Sequence, residues 1–303
     1  MDNSIILIIL IILIGYFYAY FDKKDYLEYG INKYLYYIAL PATIFLKTVS
    51  INIKIITLNF VMLNIAPIII VFLVVHLLYK TDIIKHNFAR TLIITSTLGN
   101  LVYLGFAVVS KKLGEGAIGI AAIVSGIQNI VIFTFGIFIM NIICPYNKCS
   151  KIAISKTLKN PLLISSITGI IGAIIGVELP DIIEDIFKEI SNSTTTLALF
   201  SIGVGLYGEK VYTANIKKIL IISFFKMFLL PLFAFIWIYF SNEGGIQYEV
   251  SLIEYMMPQA VASYIVAKEL DLETNVVAQS IVFTTILYFI LLPFYVSAIK
   301  LLF

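Results

Sequence analysis

The chain has 303 residues, of which 60% are hydrophobic and only 13% charged, with a formal net charge of +3 and a mean hydropathy of +1.00. One water-soluble core could not bury so much apolar surface, and so few charges could not solvate the rest, which excludes an ordinary soluble domain and points to an integral membrane protein. The small positive charge follows from loop topology and suggests no nucleic-acid partner.

Crossing a bilayer takes about 20 predominantly apolar residues per helix, and ten such stretches can be marked. The first, 4–21, has neither a basic n-region nor an A-x-A cleavage site, so it reads as a retained helix rather than a signal peptide. The second, 31–47, and the third, 57–79, carry Pro41 and Pro67, which read as kinks. The fourth, 88–110, is weakened by Thr95, Ser96, Thr97, Gly99, Asn100 and Gly105: the glycines loosen the backbone and Asn100 brings a donor and an acceptor to membrane depth. The fifth, 117–143, holds Gln128 and Asn129. A basic loop, 144–160, follows with Cys144 and Cys149, which have no histidine cluster beside them and indicate neither a metal site nor a disulfide framework.

After the sixth stretch, 161–177, the seventh, 182–207, opens with Asp181, Glu184, Asp185 and Lys188 on one face and Ile182, Ile183, Ile186 and Phe187 on the other. Its first turns are expected along the outer interface or in an aqueous vestibule. The eighth, 216–240, encloses Lys226 and Pro231. The ninth, 249–267, carries Glu254, Pro258 and Gln259, and Pro258 denies the Glu254 carbonyl its helical donor. The tenth, 275–302, holds Gln279 and Pro293.

The segment from Gln128 to Thr134 returns as Gln279 to Thr285, identical at four of seven positions with an offset of 151. Phe45 with Phe200, Pro67 with Pro231, and Ala107 with Pro258 recur at similar offsets. The expectation is a single transporter domain of two related halves, 1–150 and 151–303, with five helices each. Because five is odd, the second half would be inverted relative to the first, as in many secondary transporters. Alternate loops divide the cations fourteen to six, and the positive-inside rule then places both termini outside a cell membrane.

Freed backbone groups in lipid are tolerated only where protein or a water-filled cavity satisfies them, so two interrupted helices in matching places mark a transporter's central site. The candidate substrate-binding residues are Gly99, Asn100, Gly105, Pro258 and Gln259. Asn100 is also of a type that hydrogen-bonds between helices. Gln128, Asn129 and Gln279 either line the site or pack against the broken helices. Glu254 and Lys226 are the ionisable residues best placed to lie away from the surface and are candidates for ion or proton coupling. Glu254 also stands only a few residues into its stretch, where it could face the outer surface.

The segments Ala39 to Phe45, Gly99 to Ala107, Lys159 to Leu163, Leu197 to Gly203 and Met257 to Val261 resemble, in order and spacing, the auxin efflux carrier family. That family is related to the bile acid/sodium symporter type of crossover transporter. The resemblance implies an all-α membrane protein of ten transmembrane helices in two inverted five-helix repeats, with helices four and nine crossing at their broken centres. It implies that Asn100 contacts a substrate carboxylate and that Pro258 is the proline of the second crossover helix. The family's Gly-x-Pro in the first crossover is here Gly105-Phe106-Ala107. Two outcomes follow, a fully broken helix four or one only loosened by its glycines.

The expected function is therefore alternating-access transport, in the efflux direction, of small organic anions such as auxin-like carboxylates. The alternative is a sodium- or proton-coupled symporter or antiporter of the related crossover folds. No H-E-x-x-H pair, aspartate pair or Ser/His dyad supports an enzyme, and no cofactor is called for. The expected partners are the substrate anion, the lipid bilayer and, in the alternative, a proton or sodium ion; a homodimer stays open.

Overall fold

A computed structural model of the chain describes residues 3–21, 25–143, 161–207 and 215–303. The loop 144–160, with Cys144, Cys149 and the expected boundary between the halves, lies outside the described residues. Helices dominate: α1 (Asn3–Phe21), α2 (Asp25–Tyr34, through a π-helical turn Leu35–Ala39, into Leu40–Val49) and α3 (Leu58–Lys80). Next come α4 (His86–Thr97), α5 (a π-helical turn Leu101–Gly105, then Phe106–Leu113) and α6 (Glu115–Ile143). The remainder are α7 (Pro161–Ile175), α8 (Asp181–Leu206), α9 (Ile216–Ser241), α10 (Ile246–Met256), α11 (Ala262–Glu269) and α12 (Thr274–Leu302). No β-strand occurs among the described residues.

By length and composition α3, α6, α9 and α12 are apolar enough to cross a membrane, and α1 and α7 contribute shorter apolar helices, Leu10–Phe21 and Ile164–Ile175. The chain divides into two compact units, 1–56 with 101–126 and 159–209, and 57–100 with 127–158 and 210–303. Each unit takes segments from both halves of the sequence.

In the first unit α1 packs along α8, and α2 packs against α7 and α8. The closeness of α1 and α8 depends on glycine. A Cβ on Gly203 would stand 2.0 Å from the Ile12 carbonyl oxygen, and one on Gly15 would stand 2.1 Å from that of Phe200. With no side chain at either position the two backbones touch, a recurring device where helices meet in lipid. The Thr43 and Thr194 hydroxyls pair at 3.0 Å, and Ser201 donates to Asn32 at 2.6 Å. On the first turns of α8, Lys188 pairs with Glu184 at 2.7 Å, while Ile182 and Ile186 on the other face stay exposed.

The second unit shows how prolines are accommodated. Pro67 lacks the N–H that would have bonded the Leu63 carbonyl, and α3 loosens at Asn64 and Ile65. The buried Tyr255 hydroxyl, from α10, donates to that carbonyl at 2.9 Å. Pro231 deprives Met227 in the same way, within a π-helical turn Phe225–Leu229, and the Tyr295 hydroxyl of α12 donates to the Met227 carbonyl. Both kinks thus have an identifiable cause and a tyrosine that closes the gap.

Polar groups tie the unit at two places. At one, Arg90 donates to the Leu270 carbonyl at 2.9 Å at the end of α11, the Glu273 N–H donates to Thr91 at 3.2 Å, and Lys218 holds both Glu273 oxygens at 2.7 and 2.8 Å. At the other, the Tyr248 hydroxyl lies 3.3 Å from Thr57 and 3.4 Å from Asn59 and binds Glu243, while Trp237 donates to Asn59 at 3.0 Å.

Candidate functional site at the crossing of two interrupted helices

α4 stops at Thr97, where Leu98 turns to an extended conformation (φ −74°, ψ 98°), and α10 stops at Met256, where Met257 does the same (φ −64°, ψ 144°). The two open segments lie antiparallel, with Gly99 paired to Gln259. The Asn100 N–H donates to the Pro258 carbonyl at 2.8 Å, and the Ala260 N–H donates to the Leu98 carbonyl at 2.9 Å. Two helix ends that would otherwise leave buried backbone groups unpaired satisfy one another. The Glu254 carbonyl accepts instead from Met257, at 3.2 Å.

Of the two outcomes for helix four, the chain takes the full break. It falls at Leu98 to Asn100, and Ala107 lies inside the regular helix of α5. The break therefore needs no proline: Gly99 and the bridge to the proline-interrupted partner are enough.

Around this bridge the sequence candidates separate by role. Gln259 is fully buried; its amide nitrogen donates to Ser263 at 2.7 Å, its amide oxygen accepts from Ser280 at 2.7 Å, and its N–H donates to Thr284 at 3.3 Å. It braces the start of α11 against α12. Asn100 differs: it is 7% exposed, and its carboxamide makes no hydrogen bond within the described residues. Gly99 and Pro258 are buried in the bridge itself. Val261 and Ala262, which open α11, are exposed, so the positive end of that helix is accessible beside the bridge.

Gln128 lies away from this set of contacts. Its amide donates to Asn64 at 3.1 Å, and Asn64 donates to Ser251 at 3.0 Å and to the Phe60 carbonyl at 2.9 Å, a network that holds the loosened turn of α3. Asn129 is half-buried on the next position of α6. Gln279 is buried, with Asn215 3.5 Å from its amide oxygen, one residue before the Ser280 that holds Gln259. Gly105 belongs to the other compact unit, where it closes the π-helical turn that opens α5.

Glu254 and Lys226 are both fully buried in the second unit, so Glu254 does not face the outer surface and Lys226 does not reach for one. Lys226 donates to the Tyr255 carbonyl at 3.4 Å, and neither Glu254 carboxyl oxygen has a hydrogen-bond partner among the described residues.

Sequence reasoning passed over Ser263, Ser280, Thr284, Asn64 and Tyr255. Ser280 stands inside the repeated segment 279–285 and Asn64 three residues before Pro67, but serine, threonine and asparagine in membrane helices often bond only their own backbone.

These broken, bridged helices accord with what the chain matches. Residues 3–144 and 145–296 fit the family described as membrane transport protein. The chain belongs to that family, that of the auxin efflux carriers. An uncharacterized transporter of Methanocaldococcus jannaschii is 27% identical over 301 residues, covering 93% of this chain and 94% of the relative. Auxin efflux carrier component 8 of Arabidopsis thaliana is 26% identical over 149 residues, 45% of this chain and 41% of the plant protein. Component 1 from the same plant is 22% identical over 149 residues, 45% of this chain and 24% of its own length. This membrane transport protein is thus a membrane-embedded transporter, not an enzyme.

Proposed function

We propose that the protein is a secondary transporter of small organic anions, carboxylates of the auxin-like kind among them, working by alternating access around the bridge of Gly99 with Gln259. The carrying observation is that Asn100 presents a carboxamide with no hydrogen-bond partner among the described residues next to that bridge, with the exposed N-terminus of α11 alongside. A carboxylate there would gain directional hydrogen bonds from Asn100 and the favourable field of the N-terminus of α11. The names of the plant relatives support the substrate class.

In the same reading ten helices cross a cell membrane in two inverted repeats, with both termini outside. Both compact units support the repeat. The first holds stretches one and two with six and seven, and the second holds stretch three with eight, nine and ten. The contacts among Arg90, Lys218, Glu273 and Leu270 support the orientation, since they join loops that the positive-inside rule assigns to one side. Uncoupled, an anion leaving a negative-inside cell would gain about 2.3 kcal/mol per charge per 100 mV, enough to favour export; moved one to one with a proton, a monocarboxylate would gain nothing from the potential.

The sodium-coupled alternative is weakened by Lys226, whose ammonium group lies near the buried carboxylate of Glu254. The test is uptake and efflux of labelled mono- and dicarboxylates in proteoliposomes under imposed potential, pH and sodium gradients. Carboxylate flux that responds to the potential or to the pH gradient is expected; sodium flux without carboxylate flux would overturn the assignment.

A further inference from the structure

The second unit buries a polar cluster that the anion site does not use. Glu254 on α10 is 0% exposed and Lys226 on α9 is 1% exposed, and Tyr288 on α12 is buried near Glu254 with a hydroxyl that has no hydrogen-bond partner among the described residues. Glu254 lies within electrostatic reach of both Lys226 and Tyr288. A carboxylate kept for structure is normally bonded at both oxygens, because an unpaired buried charge is expensive. Here both oxygens lack donors although a lysine is near. A group that gains and loses charge during a working cycle would be left in this way.

We propose that Glu254 and Lys226 form a proton-exchange site that couples proton movement to carboxylate transport at the crossing. The inference rests on the anion-carrier reading. In the unloaded state carboxylate and ammonium cancel. One proton bound by the Glu254 carboxylate makes it the neutral acid and leaves the ammonium uncompensated, so the pair passes from zero to +1. Glu254 precedes Pro258 by four residues, about 6 Å of helix rise. The added charge therefore develops within one turn of the bridge, where it favours an anion at Asn100 and makes the complex loaded with a monocarboxylate neutral. A neutral complex crosses the bilayer midplane at much lower cost than a charged one.

A proton suits the cluster better than a metal ion does. The neighbouring ammonium opposes a cation, and no group of His, Cys, Asp and Glu able to hold a metal occurs among the described residues. Other titratable groups around Glu254 are otherwise engaged or more distant. The Tyr255 hydroxyl is turned to Leu63 and the Tyr295 hydroxyl to Met227. On α4 Arg90 binds the Leu270 carbonyl, and His86 opens the helix at its far end. On α3 the titratable residues, His76, Tyr79 and Lys80, all fall in its last turns, far along the helix from Leu63.

The test uses the full chain in sodium-free proteoliposomes with an entrapped pH dye and the potential clamped by potassium and valinomycin. Labelled benzoate, indole-3-acetate and succinate are the probes, with protein-free vesicles as control. Two readouts are taken: counterflow exchange at equal pH, and net accumulation under a pH gradient. One proton per anion allows about tenfold accumulation for each pH unit imposed. Wild-type protein is expected to approach that limit and to move protons with substrate. Glu254→Gln, fixed in the neutral form, is expected to keep counterflow and lose the pH-driven accumulation, and Lys226→Met to lose it as well.

Wild-type counterflow that persists with no proton movement and no response to the pH gradient overturns the coupling and leaves the anion reading intact. Full pH-driven accumulation by Glu254→Gln overturns it too, as does accumulation at equal pH when a sodium gradient is imposed in a parallel set of vesicles. Failure of every carboxylate to exchange overturns the anion reading and the coupling with it. The wild-type measurement decides even if a variant does not fold.

Discussion

Replacing Tyr255 by Phe removes one hydroxyl and keeps the ring, so its cost isolates the bond to the Leu63 carbonyl, 2.9 Å long and fully buried. That carbonyl lies four residues before Pro67, which has no N–H to offer it. Leaving a buried acceptor unsatisfied costs about 1–3 kcal/mol. In Pro67→Ala the chain regains an N–H that can bond Leu63 within the helix, and the hydroxyl becomes redundant. The expected double-mutant cycle is therefore strongly non-additive: Tyr255→Phe destabilises the native sequence by about 2 kcal/mol and the Pro67→Ala protein by about 0.5 kcal/mol or less. The assay is thermal unfolding of the purified protein in one detergent, followed by the loss of its monodisperse elution peak. Equal losses in both backgrounds would refute the argument that the tyrosine replaces the donor the proline lacks. The trio of Tyr295, Met227 and Pro231 should repeat the pattern.

Three further outcomes follow from named contacts. Gly203→Leu should abolish a monodisperse preparation, because even a Cβ would stand 2.0 Å from the Ile12 carbonyl oxygen and overpacking costs about 1–3 kcal/mol or more; Gly30→Leu, with open space around it, should not. Arg90→Met removes the buried cationic donor from the Leu270 carbonyl and should lower stability by about 1.5–3 kcal/mol, measured in the same unfolding assay. Gln259→Leu deletes bonds to Ser263 and Ser280 and should cost about 1–3 kcal/mol, since both hydroxyls can fall back on backbone carbonyls; hydrogen exchange at the start of α11 should rise with it.

The helices were legible because hydrophobicity is a local property. The stretch 216–240 corresponds to Ile216–Ser241, and 57–79 to Leu58–Lys80. The breaks were legible for the same reason: Gly99 with Asn100 and Pro258 weaken their own helices wherever these lie. The pairing of the two breaks was expected from their matched placement and from the family resemblance, and it took three dimensions to see Gly99 and Gln259 bridged by backbone hydrogen bonds. What stayed out of reach was the choice of partner. Nothing near Gln259 in sequence says that Ser280, on another helix, will hold its amide, and nothing near Gln128 names Asn64. Depth was left open. Glu254 stands early in its apolar stretch, but α10 begins at Ile246 and packs against α9 and α12, which bury it.

The most direct test of the anion site is counterflow of labelled carboxylate by native protein, Asn100→Ala and Asn100→Asp in the same vesicles. Alanine removes the hydrogen-bonding group and aspartate replaces it with a negative charge. The account predicts weakened exchange for the first variant and none for the second, with both proteins eluting as the native one does. Undiminished carboxylate exchange by Asn100→Asp would contradict it.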